Sequence, residues 1–181
     1  MMERRKKNIA ELTLMSARSF REMEKFPLRV LADNVRSLYN IGSLFRVGDV
    51  FRIDSLILCG ITGCPPHPEI SKTALGAEET VEWSHAADAY AESCRLKKEG
   101  WKICVLEQTH GSVPLPDFRA VENERYVLVI GNEVKGVDQR IVDIADVVLE
   151  IPQFGTKHSL NVASSASIAI YSLTLSLLKV N

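Results

Sequence analysis

Short apolar runs alternate with longer segments of helical periodicity along most of this chain. We predict strands at residues 28–31, 55–59, 101–106, 125–130 and 147–151. We predict helices at residues 42–51, 86–98, 138–145 and 162–179. Strands that alternate with helices are typical of a mostly parallel sheet with helices on both faces. The pattern therefore predicts one α/β domain, which covers residues 27–181.

The first residues are basic and differ in character from this domain. Apolar side chains recur at roughly helical spacing in residues 11–26, and Pro27 follows them. We therefore predict an N-terminal helical extension over residues 1–26. Residues 1–46 carry 10 Lys or Arg against 5 Asp or Glu, although the whole chain has a net charge of −1. A basic face of this kind fits a nucleic-acid partner, whereas the tetrad at residues 4–7, taken alone, is more typical of a solvated terminus.

Three polar loops, at residues 34–46, 131–136 and 151–161, each follow a predicted strand. In open parallel sheets, ligands bind at the carboxyl ends of the strands, where the strand order reverses. Loops that join rigid elements also carry most binding and catalytic side chains. We therefore expect the functional site to form from these three loops.

Several common site classes do not fit the loops. The sequence at residues 131–136 has Glu133 in the middle position of a glycine motif, where its charge would repel a pyrophosphate, so a nicotinamide enzyme is disfavoured. There is no G-x-x-x-x-G-K-[ST] sequence for phosphate binding. His158 and Ser159 are adjacent and lie outside a G-x-S-x-G motif, which disfavours a serine hydrolase.

The cysteines and the apolar segments indicate the cellular compartment in which we expect the protein. The four cysteines form no C-x-x-C pair, so we expect buried free thiols. Cys64 and His67 lack a second ligand pair, so we expect no metal site. The N-terminal residues do not have the pattern of a signal peptide, and the longest apolar stretch, residues 168–180, is short for a membrane span. We expect a cytoplasmic protein that makes no membrane contact.

The loop after the first strand combines an amide, small residues and a guanidinium. We predict that Asn40 caps the helix that follows, and that Gly42 leaves space for a ligand or a neighbouring backbone. Arg46 lies in an otherwise apolar part of this helix. Taken alone, it could simply extend its charged end to the surface.

The three loops together resemble a known set of motifs. The sequence has N-x-G-S-x-x-R at residues 40–46, G-x-E-x-x-G at residues 131–136 and I-P-x-x-G-x-x-x-S-L-N at residues 151–161. In this order they resemble the signature motifs of the SpoU-like ribose 2′-O-methyltransferases, which belong to the SPOUT class of S-adenosylmethionine-dependent RNA methyltransferases. The resemblance covers residues 30–178. It implies that the C-terminal segment is threaded through a loop as a deep trefoil knot.

The resemblance also implies roles for particular residues. The implied catalytic set is Asn40, Arg46, Glu133, Ser159 and Asn161. The implied contacts to the methyl donor are Gly131, Ile151 and Leu160, with Leu106, Glu107 and Gln108 as weaker candidates. RNA contacts are expected at Arg36 and in a loop that resembles the family's substrate-side loop, at Lys72 and Thr73.

The implied reaction transfers a methyl group to a ribose 2′-hydroxyl of RNA, with tRNA preferred over rRNA as the substrate. Since a guanidinium is an improbable base, we expect Arg46 to clamp a phosphate while Ser159 or a phosphate oxygen shares the hydroxyl proton. The apolar segment at residues 162–179 and the resemblance together predict a homodimer that shares its sites. A non-catalytic RNA-binding protein of the same fold is the competing interpretation.

Overall fold

One seven-stranded sheet forms the middle of the molecule in a computed structural model that describes residues 5–8, 11 and 15–180. The strands are β1 (Phe26–Asp33), β2 (Ile53–Cys59), β3 (Trp83–Ala86), β4 (Trp101–Leu106), β5 (Val113–Pro114), β6 (Arg125–Ile130) and β7 (Val147–Glu150). They lie in the order β3-β2-β1-β6-β4-β7-β5, and each neighbouring pair is parallel. The predicted parallel α/β sheet is confirmed.

Helices cover both faces of this sheet, as predicted. The helices are α1 (Ala17–Glu22), α2 (Leu38–Val50), α3 (Pro68–Ala74), α4 (Ala89–Lys98), α5 (Gln139–Ile144) and α6 (Val162–Leu178). Leu28, Val30 and Ala32 of β1 pack in one apolar cluster with residues of α2, α3 and α6. Leu31 packs in the opposite cluster with residues of α4 and α5. This alternation follows from the two-residue period of a strand, and it divides the core into two layers.

The strand order reverses between β1 and β6. The chain runs from β1 outward to β2 and β3 on one side, and β4, β7 and β5 lie on the other side of β6. Near the carboxyl ends of the two central strands, Leu31 is opposite Val129 and Ala32 is opposite Ile130. The loops that follow β1 and β6 therefore meet, which is the arrangement that creates a ligand site in such sheets.

The N-terminal helix is shorter than predicted. Its α-helical part spans only Ala17–Glu22, and residues 1–4, 9–10 and 12–14 of the predicted extension lie outside the described residues. Strand β1 already begins at Phe26, whose N–H donates to the carbonyl of Arg52 at 2.9 Å. Pro27 therefore lies near the start of a strand, a position that tolerates its missing N–H. Phe20 is buried in the core, so α1 packs on the domain.

Strands β3 and β5 were not predicted. The four residues of β3, Trp83–Ala86, are largely exposed on the edge of the sheet, and β5 consists of only two residues at the other edge. Edge strands need no continuous apolar run, so they give little signal. The helix predicted from Ala86 begins instead at Ala89, where the side chain of Asp88 accepts a hydrogen bond from the N–H of Ala91 at 2.7 Å.

Candidate active site

A cavity of about 530 Å³ lies at the carboxyl ends of β4, β6 and β7. Its walls come from the ends of these strands, from the loop at residues 131–136, and from the loop that connects β7 to α6. Residues that are far apart in sequence line one space because parallel strands end at the same edge of a sheet. The cavity is within the size range of small-molecule sites.

All six residues expected to contact a methyl donor line this cavity. They are Leu106, Glu107, Gln108, Gly131, Ile151 and Leu160. Leu106 and Ile151 are partly buried, whereas Leu160 is 44% exposed and offers apolar surface to a ligand. Their roles in binding remain predictions, but all six lie at the same cavity.

The loop at residues 131–136 closes on itself. The N–H of Asn132 donates to the carbonyl of Gly136 at 3.0 Å, and the N–H of Gly136 donates back at 2.9 Å. A β-carbon at Gly131 would overlap the backbone of Gly136 and Val137, and Gly136 has a φ of +70°. Both glycines are therefore required by the turn itself. This close approach also leaves the backbone of Gly131 bordering the cavity.

Glu107 and Gln108 hold the cavity walls together. The carboxylate of Glu107 accepts hydrogen bonds from the N–H groups of Gln108 at 2.9 Å and Val137 at 3.1 Å. The side-chain amide of Gln108 donates to the carbonyl of His158 at 3.0 Å. The end of β4 is thereby tied to both of the other loops, which gives these two side chains a structural role in addition to any ligand contact.

Glu133 links the second loop to the start of α2. Its carboxylate accepts hydrogen bonds from the N–H groups of Arg36 and Ser37, both at 3.0 Å, and from the side-chain amide of Asn40 at 3.2 Å. Burial acts to raise the pKa of Glu133, but these hydrogen bonds outweigh it and the pKa lies below its ordinary value. Glu133 is therefore ionised and engaged at neutral pH, which suits an orienting role better than that of a base.

Asn161 extends this network to α6. Its amide donates to Oδ1 of Asn40 at 3.1 Å, while its own Oδ1 accepts from the N–H groups of Ala163 at 3.0 Å and Ser164 at 3.2 Å. Asn161 is therefore the N-cap of α6. The chain of contacts from Glu133 through Asn40 to Asn161 joins all three motifs.

The predicted capping role of Asn40 is wrong. Ser37 is the N-cap of α2, and its hydroxyl accepts a hydrogen bond from the N–H of Asn40 at 3.3 Å. Asn40 lies in the first turn of the helix and is only 9% exposed. Its side chain is therefore free to bridge Glu133 and Asn161, which a capping side chain could not do.

Ser159 and Arg46 are placed differently from the rest of the predicted catalytic set. Ser159 is exposed and lines the cavity, and its hydroxyl has no hydrogen-bond partner within residues 15–180. Arg46 is exposed on α2, does not line the cavity, and has no ion pair or hydrogen bond to the described residues. A single chain therefore does not bring Arg46 to the other four residues.

The predicted RNA-contacting residues also differ from one another. Arg36 is exposed after β1, and Lys72 is exposed on α3. The hydroxyl of Thr73 instead donates to the carbonyl of Tyr39 at 3.0 Å. A β-carbon at Gly42 would overlap Thr73 and the backbone of α3, so the space left by this glycine is filled by α3. Thr73 thus serves the packing of α3 on α2.

Asp33 and Asn132 were missed by the sequence analysis. Asp33 is 3% exposed, and its carboxylate accepts hydrogen bonds from the amide of Asn34 at 2.8 Å and the N–H of Asp138 at 2.9 Å. The amide of Asn132 donates to the carbonyl of Asn34 at 2.8 Å. Asn34 has a φ of +55°, and an Asp-Asn pair at the end of a strand is the one signal that indicates such a turn.

The cysteines are all unpaired. The prediction of buried thiols is confirmed for Cys59 and Cys104, whereas Cys64 and Cys94 are only partly buried. Burial raises the pKa of Cys59 to about 12. Among residues 5–8, 11 and 15–180, no three His, Cys, Asp or Glu side chains are arranged to hold a metal ion. None of the helices in these ranges has both the length and the apolar character needed to cross a bilayer.

A parallel α/β domain whose cavity lies at the carboxyl ends of β4, β6 and β7, between the loops that follow these strands, has a ligand site in the position that such sheets commonly use. Comparison with known proteins identifies its family. The model of the SpoU rRNA Methylase family matches residues 27–171. The chain belongs to this family.

Individual relatives are consistent with this assignment. An uncharacterized tRNA/rRNA methyltransferase of Mycobacterium tuberculosis is 32% identical over 118 residues, which are 64% of this chain and 41% of the relative. The chain thus spans about two fifths of the length of that protein. The tRNA (guanosine(18)-2′-O)-methyltransferase of Aquifex aeolicus is 29% identical over 164 residues, 90% of this chain and 76% of the relative.

Solved structures show the same fold. The A. aeolicus TrmH/SpoU tRNA modifying enzyme superposes with a TM-score of 0.79 at 25% identity, over 90% of this chain and 83% of that one. The SpoU methyltransferase AviRb of Streptomyces viridochromogenes, crystallised with AdoMet, gives a TM-score of 0.74 at 23% identity over 88% and 64% of the two chains. The second likeness supports the fold alone.

Proposed function

We propose that this protein is an S-adenosylmethionine-dependent methyltransferase that acts on a ribose 2′-hydroxyl of RNA. The observation that carries the proposal is the hydrogen-bonded chain from Glu133 through Asn40 to Asn161, which joins three family motifs beside one cavity. Family membership and the named activity of the A. aeolicus relative support it.

The residues of the cavity suit S-adenosylmethionine. Apolar side chains at Leu106, Ile151 and Leu160 fit an adenine ring, and the closely approaching backbone at Gly131 offers polar groups at its border. The volume of about 530 Å³ is adequate for a nucleoside-sized ligand. When bound, S-adenosylmethionine supplies an electrophilic methyl group on a sulfonium centre.

The remaining residues have separable tasks. Glu133 orients Asn40 and the start of α2, because its hydrogen bonds are already made within the protein. Ser159 has a hydroxyl at the cavity wall without a partner among the described residues, so it can accept a hydrogen bond from the attacking 2′-hydroxyl and relay the proton by passing its own to a phosphate oxygen of the RNA. Arg46 is uncommitted as well, and its guanidinium can clamp an RNA phosphate with two hydrogen bonds.

The position of Arg46 leads us to propose a homodimer. Helix α6 exposes a stripe of apolar side chains at helical spacing: Ile168 at 43%, Tyr171 at 52%, Leu175 at 38% and Leu178 at 56%. Val50, at the end of α2, is 65% exposed. A twofold interface would cover this stripe and bring Arg46 of one subunit towards the cavity of the other.

Two features of the chain's organisation are also proposals. We infer a deep trefoil knot around the segment from β7 to α6 because the family resemblance implies it; the hydrogen bond from Gln108 to His158 and the packing of α6 on α2 are compatible with this arrangement. We also infer that the basic N-terminal extension, whose boundary falls before Phe26 rather than after it, helps to hold RNA.

The substrate and compartment complete the proposal. We favour tRNA over rRNA, a preference supported by the tRNA activity named for the A. aeolicus relative, which this chain matches over 76% of its length. We place the protein in the cytoplasm, where four unpaired cysteines remain reduced.

Calorimetry and a methyl-transfer assay test this function. We expect heat on adding S-adenosylmethionine or S-adenosylhomocysteine, and transfer of labelled methyl groups to unmodified tRNA that leaves 2′-O-methylated nucleosides after digestion. No heat with either ligand would remove both the donor site and the enzyme. RNA binding that does not depend on S-adenosylmethionine and leads to no methyl transfer would favour the alternative, a non-catalytic RNA-binding protein. The observation that favours this alternative is that Arg46 does not line the cavity of a single chain.

A further inference from the structure

The rim of the cavity carries two apolar side chains that the protein itself leaves in solvent. Phe154, in the loop between β7 and α6, is 96% exposed, and Val134, in the loop after β6, is 79% exposed. Gln153 and Val134 both line the cavity, so Phe154 directly follows a residue of its wall. An isolated exposed apolar residue is ordinary, but two on facing loops of one site mark a contact surface.

Unpaired positive charge accompanies these side chains. Lys157 is exposed in the same loop as Phe154, and Lys135 is exposed next to Val134. Within residues 15–180, neither lysine side chain forms an ion pair or hydrogen bond. The neighbouring carboxylate, Glu133, accepts hydrogen bonds from residues 36, 37 and 40 instead. The rim therefore combines an aromatic ring with two lysines that have no partner among these residues.

This combination fits single-stranded nucleic acid. Proteins hold unpaired strands with aromatic side chains, on which bases stack, and with cations that contact the phosphates. We propose that Phe154 is the stacking platform for an unpaired base of the RNA substrate, with Lys157 and Lys135 on the adjoining phosphates. The proposal rests on the proposed function and adds a residue that positions the substrate at its site.

The C-terminal part of this loop is tied to the rest of the site. The carbonyl of His158, four residues after Phe154, accepts a hydrogen bond from the amide of Gln108 at 3.0 Å, and Asn161 is fixed at the N-terminus of α6. Ser159, which lies between these two contacts, lines the cavity. Fixing this part of the loop beforehand reduces the entropic cost of binding a flexible strand.

A second copy of the chain is the competing occupant of this surface. The apolar stripe of α6 already offers a self-complementary interface that lacks charged residues. The rim instead presents the lysines Lys135 and Lys157, which complement phosphate groups, while the carboxylate of Glu133 is engaged by hydrogen bonds within the protein. RNA is therefore the occupant that the charges favour.

Equilibrium binding of unmodified tRNA tests the proposal without relying on catalysis. We expect Phe154→Ala to weaken RNA binding roughly 5- to 100-fold, while Phe154→Tyr retains affinity within a few-fold. Val121→Ala, which changes an apolar residue that is 56% exposed away from the cavity, serves as the matched control and should have no effect. Lys157→Gln should lower the salt dependence of binding by about one phosphate contact.

Further measurements separate the possible outcomes. We expect Phe154→Ala to raise the KM for RNA while leaving kcat at saturating RNA and the affinity for S-adenosylmethionine unchanged. Unchanged RNA affinity in Phe154→Ala overturns the proposal, and so does dissociation of a dimer by this variant in sedimentation equilibrium. If the wild type binds RNA through Phe154 but transfers no methyl group, the proposed enzyme fails and the RNA platform stands.

Discussion

At the scale of single residues, the site contains charged side chains of two kinds. The charge of Glu133 is stabilised within the protein, since both of its carboxylate oxygens accept hydrogen bonds from the loop and helix that follow β1. Arg46 makes no such contact with the described residues. We therefore expect Glu133 to affect the stability of the fold and the geometry of the site, and Arg46 to act on a bound partner.

We expect Glu133→Gln to destabilise the fold by about 1 kcal/mol at pH 7. The carboxylate has two acceptor oxygens, whereas the amide has only one, and its NH₂ group would face a backbone N–H that has no other acceptor among the described residues. The lowered pKa of Glu133 fixes the pH dependence. The stabilisation is fully present above the unfolded-state pKa, about 4.3, and is lost as pH falls through the lower folded-state pKa.

Urea unfolding of both proteins at pH 7 and near pH 3 measures this effect. The difference in free energy of unfolding should shrink at the acidic pH. A difference that stays constant would show that the carboxylate's charge is not what stabilises this contact.

We expect Arg46→Ala to abolish methyl transfer, a fall of at least about 100-fold, because it removes a phosphate clamp that orients the ribose. Calorimetric affinity for S-adenosylmethionine should change by no more than a few-fold, since Arg46 does not line the cavity. Arg95→Ala is the control, because Arg95 lies on α4, outside both the cavity and the N-terminal extension, and pairs with Glu92 and Glu99 beside it. Transfer at the parental rate would point to Arg36 instead.

At the scale of elements, close packing of α3 on α2 fixes the first motif. Gly42 allows this approach, and the hydroxyl of Thr73 bonds across it to the carbonyl of Tyr39. Asn40, on the same helix, carries the hydrogen bonds to Glu133 and Asn161. The position of this hydrogen-bond network therefore depends on the contact between two helices that do not line the cavity.

Gly42→Ala should destabilise the protein by about 1–3 kcal/mol, because the new methyl group overlaps Thr73 and the backbone of α3. The overlap outweighs the gain in helix propensity, which is at most about 1 kcal/mol. Gly155→Ala is the matched control, since nothing lies within 4 Å of its added β-carbon and its φ is not positive. Thermal unfolding of both variants gives the comparison. Equal melting temperatures would show that α3 can shift without cost.

At the scale of the whole molecule, assembly decides whether the site is complete. A single chain brings together the residues proposed to bind the methyl donor with Glu133, Asn40, Asn161 and Ser159, whereas Arg46 does not line the cavity. A monomer has a mass of 20.2 kDa. Sedimentation equilibrium at micromolar concentration should give twice that mass.

Mixing Arg46→Ala with Asn161→Ala tests whether the site is shared between subunits. A hybrid dimer would contain one intact site, built from Arg46 of one chain and Asn161 of the other. With random exchange, about a quarter of the parental activity should return. No recovery, with exchange of subunits verified by labelled chains, would place Arg46 and Asn161 in the same subunit's site.

The sequence by itself determined the class of fold and the segments that form the site. Strands β1, β2, β4 and β6 are largely buried on both faces and β7 is at least partly buried along its length, so all five leave apolar runs that pattern analysis detects. Turn glycines such as Gly131 and Gly136 leave equally local signals, because backbone geometry requires them. The motif loops could be found for the same reason.

Only the tertiary structure decided how side chains from different loops pair. Asn40 is a residue type that commonly caps helices, yet Ser37 takes that role because α2 begins at Leu38, four residues before the predicted start at Gly42. Asp33 and Thr73 make their contacts across the fold, to Asp138 and Tyr39, and such partners leave no mark in local sequence. Edge strands and long-range hydrogen bonds depend on the arrangement of the whole chain, whereas periodicity reports only on neighbours along it.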